Sequence, residues 1–182
     1  MTIAAVVGGV PISVDDVDAR EARLRQSRSV SSLPRPGTSE GRQLRRWLTQ
    51  LLVTERVVAA EAAARGLSAD GAPSEDDLLP DMAVRLEIGS VAASVLGDPL
   101  ARALFVDVTD AVDVTDEAVA AYKERNPSRF ADTAAVAEHL RAAARRRAFR
   151  LWLDGRCAAL VELAPGYEHP GDPRQPDNTH RH

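Results

Sequence analysis

The fold is decided by a short stretch near the start of the chain, Ile3-Ala-Ala-Val-Val-Gly-Gly-Val-Pro-Ile-Ser-Val-Asp-Asp-Val17. Two apolar runs flank a Gly-Gly dipeptide, which is typical of a β-hairpin, and Pro11 limits the second run to an edge or very short strand. Ser13 supplies a helix N-cap, and Asp15 and Asp16 suit the positive end of the helix dipole. The stretch therefore predicts a hairpin followed by a helix that reaches about Gln26.

Regular apolar spacing predicts further helices along the chain. The clearest one ends at Gly66, and its predicted core residues are Leu44, Leu48, Leu51, Leu52, Val58 and Ala62. Shorter helices are expected over 78–96, 100–105 and 115–126. A last helix is expected over 135–156, and its predicted buried residues are Leu140, Ala144, Ala148 and Leu151. A strand over Ala159–Leu163 completes the predicted elements.

The composition restricts the class of protein. With 182 residues, 45% apolar and 4% aromatic, the chain suits one domain of helices packed through small and branched side chains. The net charge of −4 gives no general attraction to nucleic acid or acidic membranes. No run approaches the roughly 20 apolar residues of a membrane span, and no secretory signal precedes Ile3. We therefore expect a cytoplasmic protein with neither nucleic acid nor membrane as partner.

Three segments together resemble the chaperone module of the SurA / PrsA / PpiD family of peptidyl-prolyl isomerase folding factors. They are Ile3–Val17, the core-helix segment Leu52–Leu67, and the helix with its proline stop at Val114–Phe130. In that family a parvulin prolyl-isomerase domain would follow a segment like the one ending at Phe130. Here only Ala131–Ala137 precede the last helix, so the resemblance implies a module that lacks the parvulin domain and has no prolyl-isomerase activity.

The resemblance also implies an architecture and a function. We expect a mainly α, SurA N-terminal-like domain over 1–163, in which a small β element joins the N-terminal hairpin to the C-terminal strand. A mobile loop is expected at about 27–39 and an extended tail at 164–182. By resemblance the module binds extended or apolar polypeptide, in a groove between the long helix and the last helix; the predicted binding residues are Trp47, Leu51, Arg145 and Trp152. The sequence also leaves open that a second copy of the chain is a partner.

The tail carries a cluster of histidines that supports an alternative function. His169, His180 and His182 could act as catalytic acid or base groups, and His180, His182 and Asp177 as ligands of a divalent metal. The chain would then be a recruited isomerase- or cyclase-type enzyme, or an accessory protein of specialised metabolism, acting on a small or carrier-bound substrate. The same histidines also suit a tail that is solvated or packed on the surface, or a tail that closes over a partner or groove. Beyond this metal, no cofactor is expected.

Three other features are informative, and two of them have two interpretations. The arginines of the last helix could meet phosphates or form a salt-bridged surface; they are Arg141, Arg145, Arg146, Arg147 and Arg150. Glu55 and Glu61, among apolar neighbours, could include a buried general base, or both could reach the surface or pair with an arginine. Cys157 is the single cysteine, which excludes an internal disulfide, and we expect a buried thiol.

Overall fold

In a computed structural model that describes residues 1–27 and 32–174, the chain is mainly helical and contains a small antiparallel sheet. The strands are β1 (Ile3–Val7), β2 (Val10–Ser13) and β3 (Val161–Leu163). The helices are α1 (Val14–Ser27), α2 (Ser39–Ala64), α3 (Glu75–Leu78), α4 (Met82–Ile88), α5 (Ser90–Val95), α6 (Pro99–Thr109), α7 (Asp116–Arg125) and α8 (Thr133–Leu160). The chain divides into two compact units, one of residues 1–60 and 156–182 and one of residues 61–155.

The sheet joins the two ends of the first unit, as the sequence predicts. Its strand order is β2-β1-β3, and both neighbours run antiparallel to β1. Val7 lies opposite Val10 on one side and Val161 on the other. Gly8 and Gly9 have φ values of 54° and 83°, and a two-residue hairpin turn needs positive φ at both central positions. The predicted pairing of the hairpin with the last strand is confirmed.

Ion pairs, one of them to a buried glutamate, and a helix cap organise the helices of the first unit. The Ser13 hydroxyl accepts a hydrogen bond from the Asp16 amide at 3.1 Å, and the Asp16 carboxylate accepts one from the Ser13 amide at 2.8 Å. This reciprocal cap begins α1 directly after β2. On α2, Arg45 pairs with Asp18 at 2.6 Å and with the buried Glu21 at 2.9 Å. Glu55 pairs with Arg20 at 2.7 Å, so the arginine-pairing interpretation of Glu55 is confirmed.

The first residues of the predicted tail lie against α2. Arg46 donates a hydrogen bond from Nε to the Gly166 carbonyl at 3.2 Å. The Tyr167 amide donates to the Ala164 carbonyl at 3.0 Å, and the Asp172 amide to that of His169 at 2.9 Å. Residues 164–174 therefore follow a series of turns that α2 contacts through an arginine.

The predicted helix over 78–96 is wrong, because α3, α4 and α5 replace it. Pro80 separates the first two helices, since it has no amide hydrogen to donate. Gly89 separates α4 from α5 with φ 94° and ψ 150°, a conformation open almost only to glycine. The next helix is longer than predicted, because α6 continues from Pro99 to Thr109.

The predicted buried face of the last helix is also wrong. Leu151 is 63% exposed, and the buried residues of α8 are Val136, Arg146, Phe149 and Leu153. Phe149 packs on Phe105 of α6 with ring centroids 5.1 Å apart. This aromatic pair buries more apolar area than the alanines of the predicted stripe, so it determines which face of α8 turns inward.

Two smaller expectations have clear outcomes. Cys157, expected to be buried, is half-exposed. No helix within residues 1–27 and 32–174 combines the length and apolar character needed to cross a membrane.

Candidate functional site

The second unit contains a cavity of about 530 Å³ between α6, α8 and the segment around α3. Its α8 wall is formed by residues that recur every three or four positions and so share one helix face; they are Ala134, Glu138, Arg141, Ala142 and Arg145, with Arg146 beside them. We call this space the arginine cavity. It has the size of a small-molecule or peptide-segment site.

The other walls of the arginine cavity are mostly apolar. Pro73 and Leu78 contribute from the segment around α3, and Phe105 and Val106 contribute from α6. Phe105 is held in place by its contact with Phe149. The pairing of apolar walls with a few charged groups is typical of ligand sites.

Arg146 is a buried cation on this wall. It is only 8% exposed, and its Nη1 donates a weak, 3.5 Å hydrogen bond to the Leu78 carbonyl. The Nε atoms of Arg145 and Arg146 are both buried, and neither has an acceptor among the described residues. A buried donor without a partner costs about 1–3 kcal/mol, and more when it is charged. The arrangement therefore favours an acceptor of negative charge at these two side chains.

Two other charged residues of the cavity lining, Arg141 and Asp77, have hydrogen-bond partners. Arg141 donates from Nε to Asp113 at 2.9 Å. Hydrogen bonds from Ser74 lower the pKa of Asp77, which accepts from the Ser74 hydroxyl at 2.7 Å and from its amide at 3.0 Å. Asp77 is thus an anion engaged in the capping box of α3.

A second cavity of about 510 Å³ adjoins the first, because Pro73 and Val106 line both. It lies between α6 and the loop 66–73, and three aspartates line it: Asp70, Asp107 and Asp110. Arg65 pairs with Asp107 at 2.7 Å. We call it the acidic cavity. We call the two adjoining cavities together the trough: three arginines line the first cavity, three aspartates line the second, and the apolar Pro73 and Val106 line both.

The predicted binding residues belong to different compact units. Trp47 and Leu51 belong to the first unit, and Leu51 is only 3% exposed. In the second unit Trp152 stacks on Phe149, with ring centroids 5.9 Å apart, and the Arg65 guanidinium lies 5.5 Å from its ring. Arg145 lines the arginine cavity, so it is the predicted binding residue that the structure brings into this site.

The predicted tail site is only partly described. His169 is exposed, and its Nδ1 accepts a hydrogen bond from the Gly171 amide at 2.9 Å. Hydrogen bonds from Arg174 lower the pKa of the neighbouring Asp172 to about 2. His180, His182 and Asp177 lie outside the described residues. Within 1–27 and 32–174 no three His, Cys, Asp or Glu side chains are grouped to hold a metal, so the tail metal stays a prediction.

Sequence reasoning missed a histidine on α8. His139 packs between the rings of Tyr122 and Phe130, with centroids 5.7 and 5.0 Å away. Arg129 donates to the Tyr122 hydroxyl at 2.8 Å. Burial, and then the charges of Arg129 and Arg146, lower the pKa of His139. In the sequence, Tyr122 and Phe130 precede His139 by 17 and 9 positions, and these two rings were the available indication of an aromatic cluster around it.

One family model matches part of the chain. It is described as a family of unknown function (DUF7158) and covers residues 3–40, which include the hairpin, α1 and the first residues of α2. No curated protein and no solved structure matches the chain. The matched segment belongs to the first unit, whereas both cavities belong to the second.

Proposed function

We propose that this chain is a SurA-like binding module without a parvulin domain, and that it holds an extended, apolar polypeptide segment. The observation that carries the proposal is the trough of two adjoining cavities, which share Pro73 and Val106. Two adjoining cavities suit an extended segment better than they suit one compact small molecule. The sheet that joins the N-terminal hairpin to β3 supports the resemblance from which this function was first inferred.

The chemistry of the trough matches the needs of an extended peptide. Such a segment has unpaired backbone N–H and C=O groups, and recognition requires donors and acceptors beside apolar pockets. Arg145 and Arg146 supply donors in one cavity, and Asp70 and Asp110 supply acceptors in the other. Between them the apolar wall can bury alternate side chains, which contributes about 25 cal/mol for each Å² removed from water.

The test is suppression of aggregation together with a prolyl-isomerase assay. At several-fold molar excess, the protein should reduce light scattering by a thermally unfolded reporter enzyme and should not accelerate proline-limited refolding. Val106→Glu places a charge in the middle of the trough, where Val106 is 41% exposed, and should abolish most of the suppression.

The matched control is Leu86→Glu. Leu86 is 74% exposed on α4 and lines neither cavity, so this variant should suppress aggregation as the unmodified chain does. Absence of suppression by the unmodified chain, or equal activity of the two variants, would overturn the proposed trough. Catalysed proline isomerisation would contradict the parvulin-less assignment.

A further inference from the structure

We propose that Arg145 and Arg146 form a carboxylate-binding subsite, which selects apolar chains that end in a carboxylate. The inference rests on the proposed function for its location and names the ligand class of the same trough. Two kinds of ligand can supply this carboxylate: a peptide, through its C-terminus, and a free aliphatic acid.

Among the described residues, Arg146 has fewer hydrogen-bond acceptors than its guanidinium has donors. A guanidinium has five N–H donors, and the one protein acceptor assigned to Arg146 among the described residues is the Leu78 carbonyl at 3.5 Å. Its Nε is buried without an acceptor, as is that of Arg145. A buried charge is stabilised only when it is paired and hydrogen-bonded. Two neighbouring guanidinium groups in this state form an anion subsite.

The charge and the shape of a carboxylate suit this subsite. Among the arginines that line the arginine cavity, Arg141 is paired with Asp113 at 2.9 Å, whereas the buried Nε atoms of Arg145 and Arg146 have no acceptor among the described residues. A carboxylate supplies one charge and two oxygens in the planar geometry that a guanidinium binds in bidentate fashion. A phosphate monoester would bring about −1.5 to −2 charges beside Asp77 and Glu138, which is less favourable.

The cavity wall beside the arginines indicates what kind of group is attached to the carboxylate. Leu78, Phe105 and Val106 form the apolar wall next to the arginines, so the group behind the carboxylate is apolar. Neighbouring Arg147, in contrast, is exposed and lines neither cavity. The helix therefore separates one solvated arginine from two that face a ligand site.

The experiment measures binding of three probes by isothermal titration calorimetry: an apolar hexapeptide with a free C-terminus, the same peptide amidated, and octanoate. We expect amidation to weaken binding about 10- to 100-fold, the usual effect of losing hydrogen bonds to a charged group. Arg145→Gln should reduce binding of the free peptide to the level of the amidated one. Arg147→Gln is the matched control and should leave both affinities unchanged.

Arg146→Met is a second variant, with its folding checked by circular dichroism. If it fails to fold, the half-exposed Arg145 still decides the question. Equal affinity of free and amidated peptide, unaltered by Arg145→Gln, would overturn the carboxylate subsite and leave the proposed polypeptide binding intact. If neither peptide binds, the proposed function fails; octanoate binding weakened by Arg145→Gln would then support the subsite with a free acid as its source. Failure of octanoate as well would overturn both.

Discussion

Two basic side chains on α8, Arg146 and His139, lie in surroundings that disfavour a positive charge. Arg146 stays charged in proteins whatever its surroundings, so its burial calls for a counter-charge. His139 can instead lose its proton. Burial, followed by the charges of Arg129 and Arg146, lowers its pKa from the ordinary 6.5, and Glu87 opposes this only in part. At the scale of single residues, the buried Arg146 therefore points to a ligand, and the half-buried His139 to a pH-dependent stability.

We predict that His139 makes the protein less stable in mild acid. Its folded-state pKa lies below the unfolded value of 6.5, so the unfolded chain binds more protons at acidic pH. The stability is present above the unfolded pKa and is lost as pH falls towards the folded pKa. Thermal melting between about pH 7.5 and pH 5 should show a smaller decrease for His139→Gln than for the unmodified chain.

Parallel melting curves for His139→Gln and the unmodified chain would rule out the assigned role of His139.

At the scale of elements, a contact from a distant helix maintains the break between α4 and α5. Arg150 of α8 donates a hydrogen bond from Nη1 to the Ile88 carbonyl. Its guanidinium occupies the space that a Cβ atom at Gly89 would need. Gly89 therefore meets two requirements together, a positive φ and a close approach by another side chain.

Gly89→Ala should lower the free energy of unfolding by about 1–3 kcal/mol, because the alanine must adopt a strained backbone and displace Arg150. The matched control is Gly155→Ala in α8, where a Cβ would meet no atom within 4 Å. That variant should gain about 0.5–1 kcal/mol, because alanine favours a helix over glycine. Urea denaturation measures both, and a Gly89→Ala protein as stable as the unmodified chain would contradict the prediction.

At the scale of the whole molecule, residues far apart in sequence complete the first unit. Central strand β1 pairs with β2 directly and with β3 from the other end of the described chain. The Gly8 amide donates to the Leu160 carbonyl and the Ala164 amide to the Ala4 carbonyl, both at 2.9 Å. Neither end of this unit can form the three-stranded sheet alone.

Removal of residues 1–12 should therefore abolish cooperative melting of the first unit. The deletion removes β1 and most of β2, together with the buried Ala4, Ala5, Val7 and Ile12, and leaves β3 without a partner strand. Val10→Thr serves as control, because Val10 is exposed and threonine is well tolerated in strands. A truncated protein that keeps the full melting temperature would refute this dependence on the sheet.

Local patterns in the sequence were sufficient for much of the fold. Gly8-Gly9 predicted the turn because few other residues adopt positive φ twice in succession, and Ser13 predicted the start of α1 because its side chain caps nearby amides. The cap of α7 is equally local, because the Thr115 hydroxyl accepts a hydrogen bond from the Ala118 amide at 3.2 Å. These interactions connect residues only a few positions apart, so the sequence by itself determined them.

Packing between distant segments decided the rest. The inward face of α8 depends on Phe105, forty-four positions before Phe149, and the break at Gly89 depends on Arg150. The arginine cavity likewise unites Pro73, Phe105 and Arg146 from three separate segments. In the sequence, Arg146 is one of several arginines on a helix; only tertiary structure removes it from water while Arg147 stays exposed. Burial is a property of what surrounds a side chain, and those neighbours are distant in sequence, so helix periodicity alone could not identify the site.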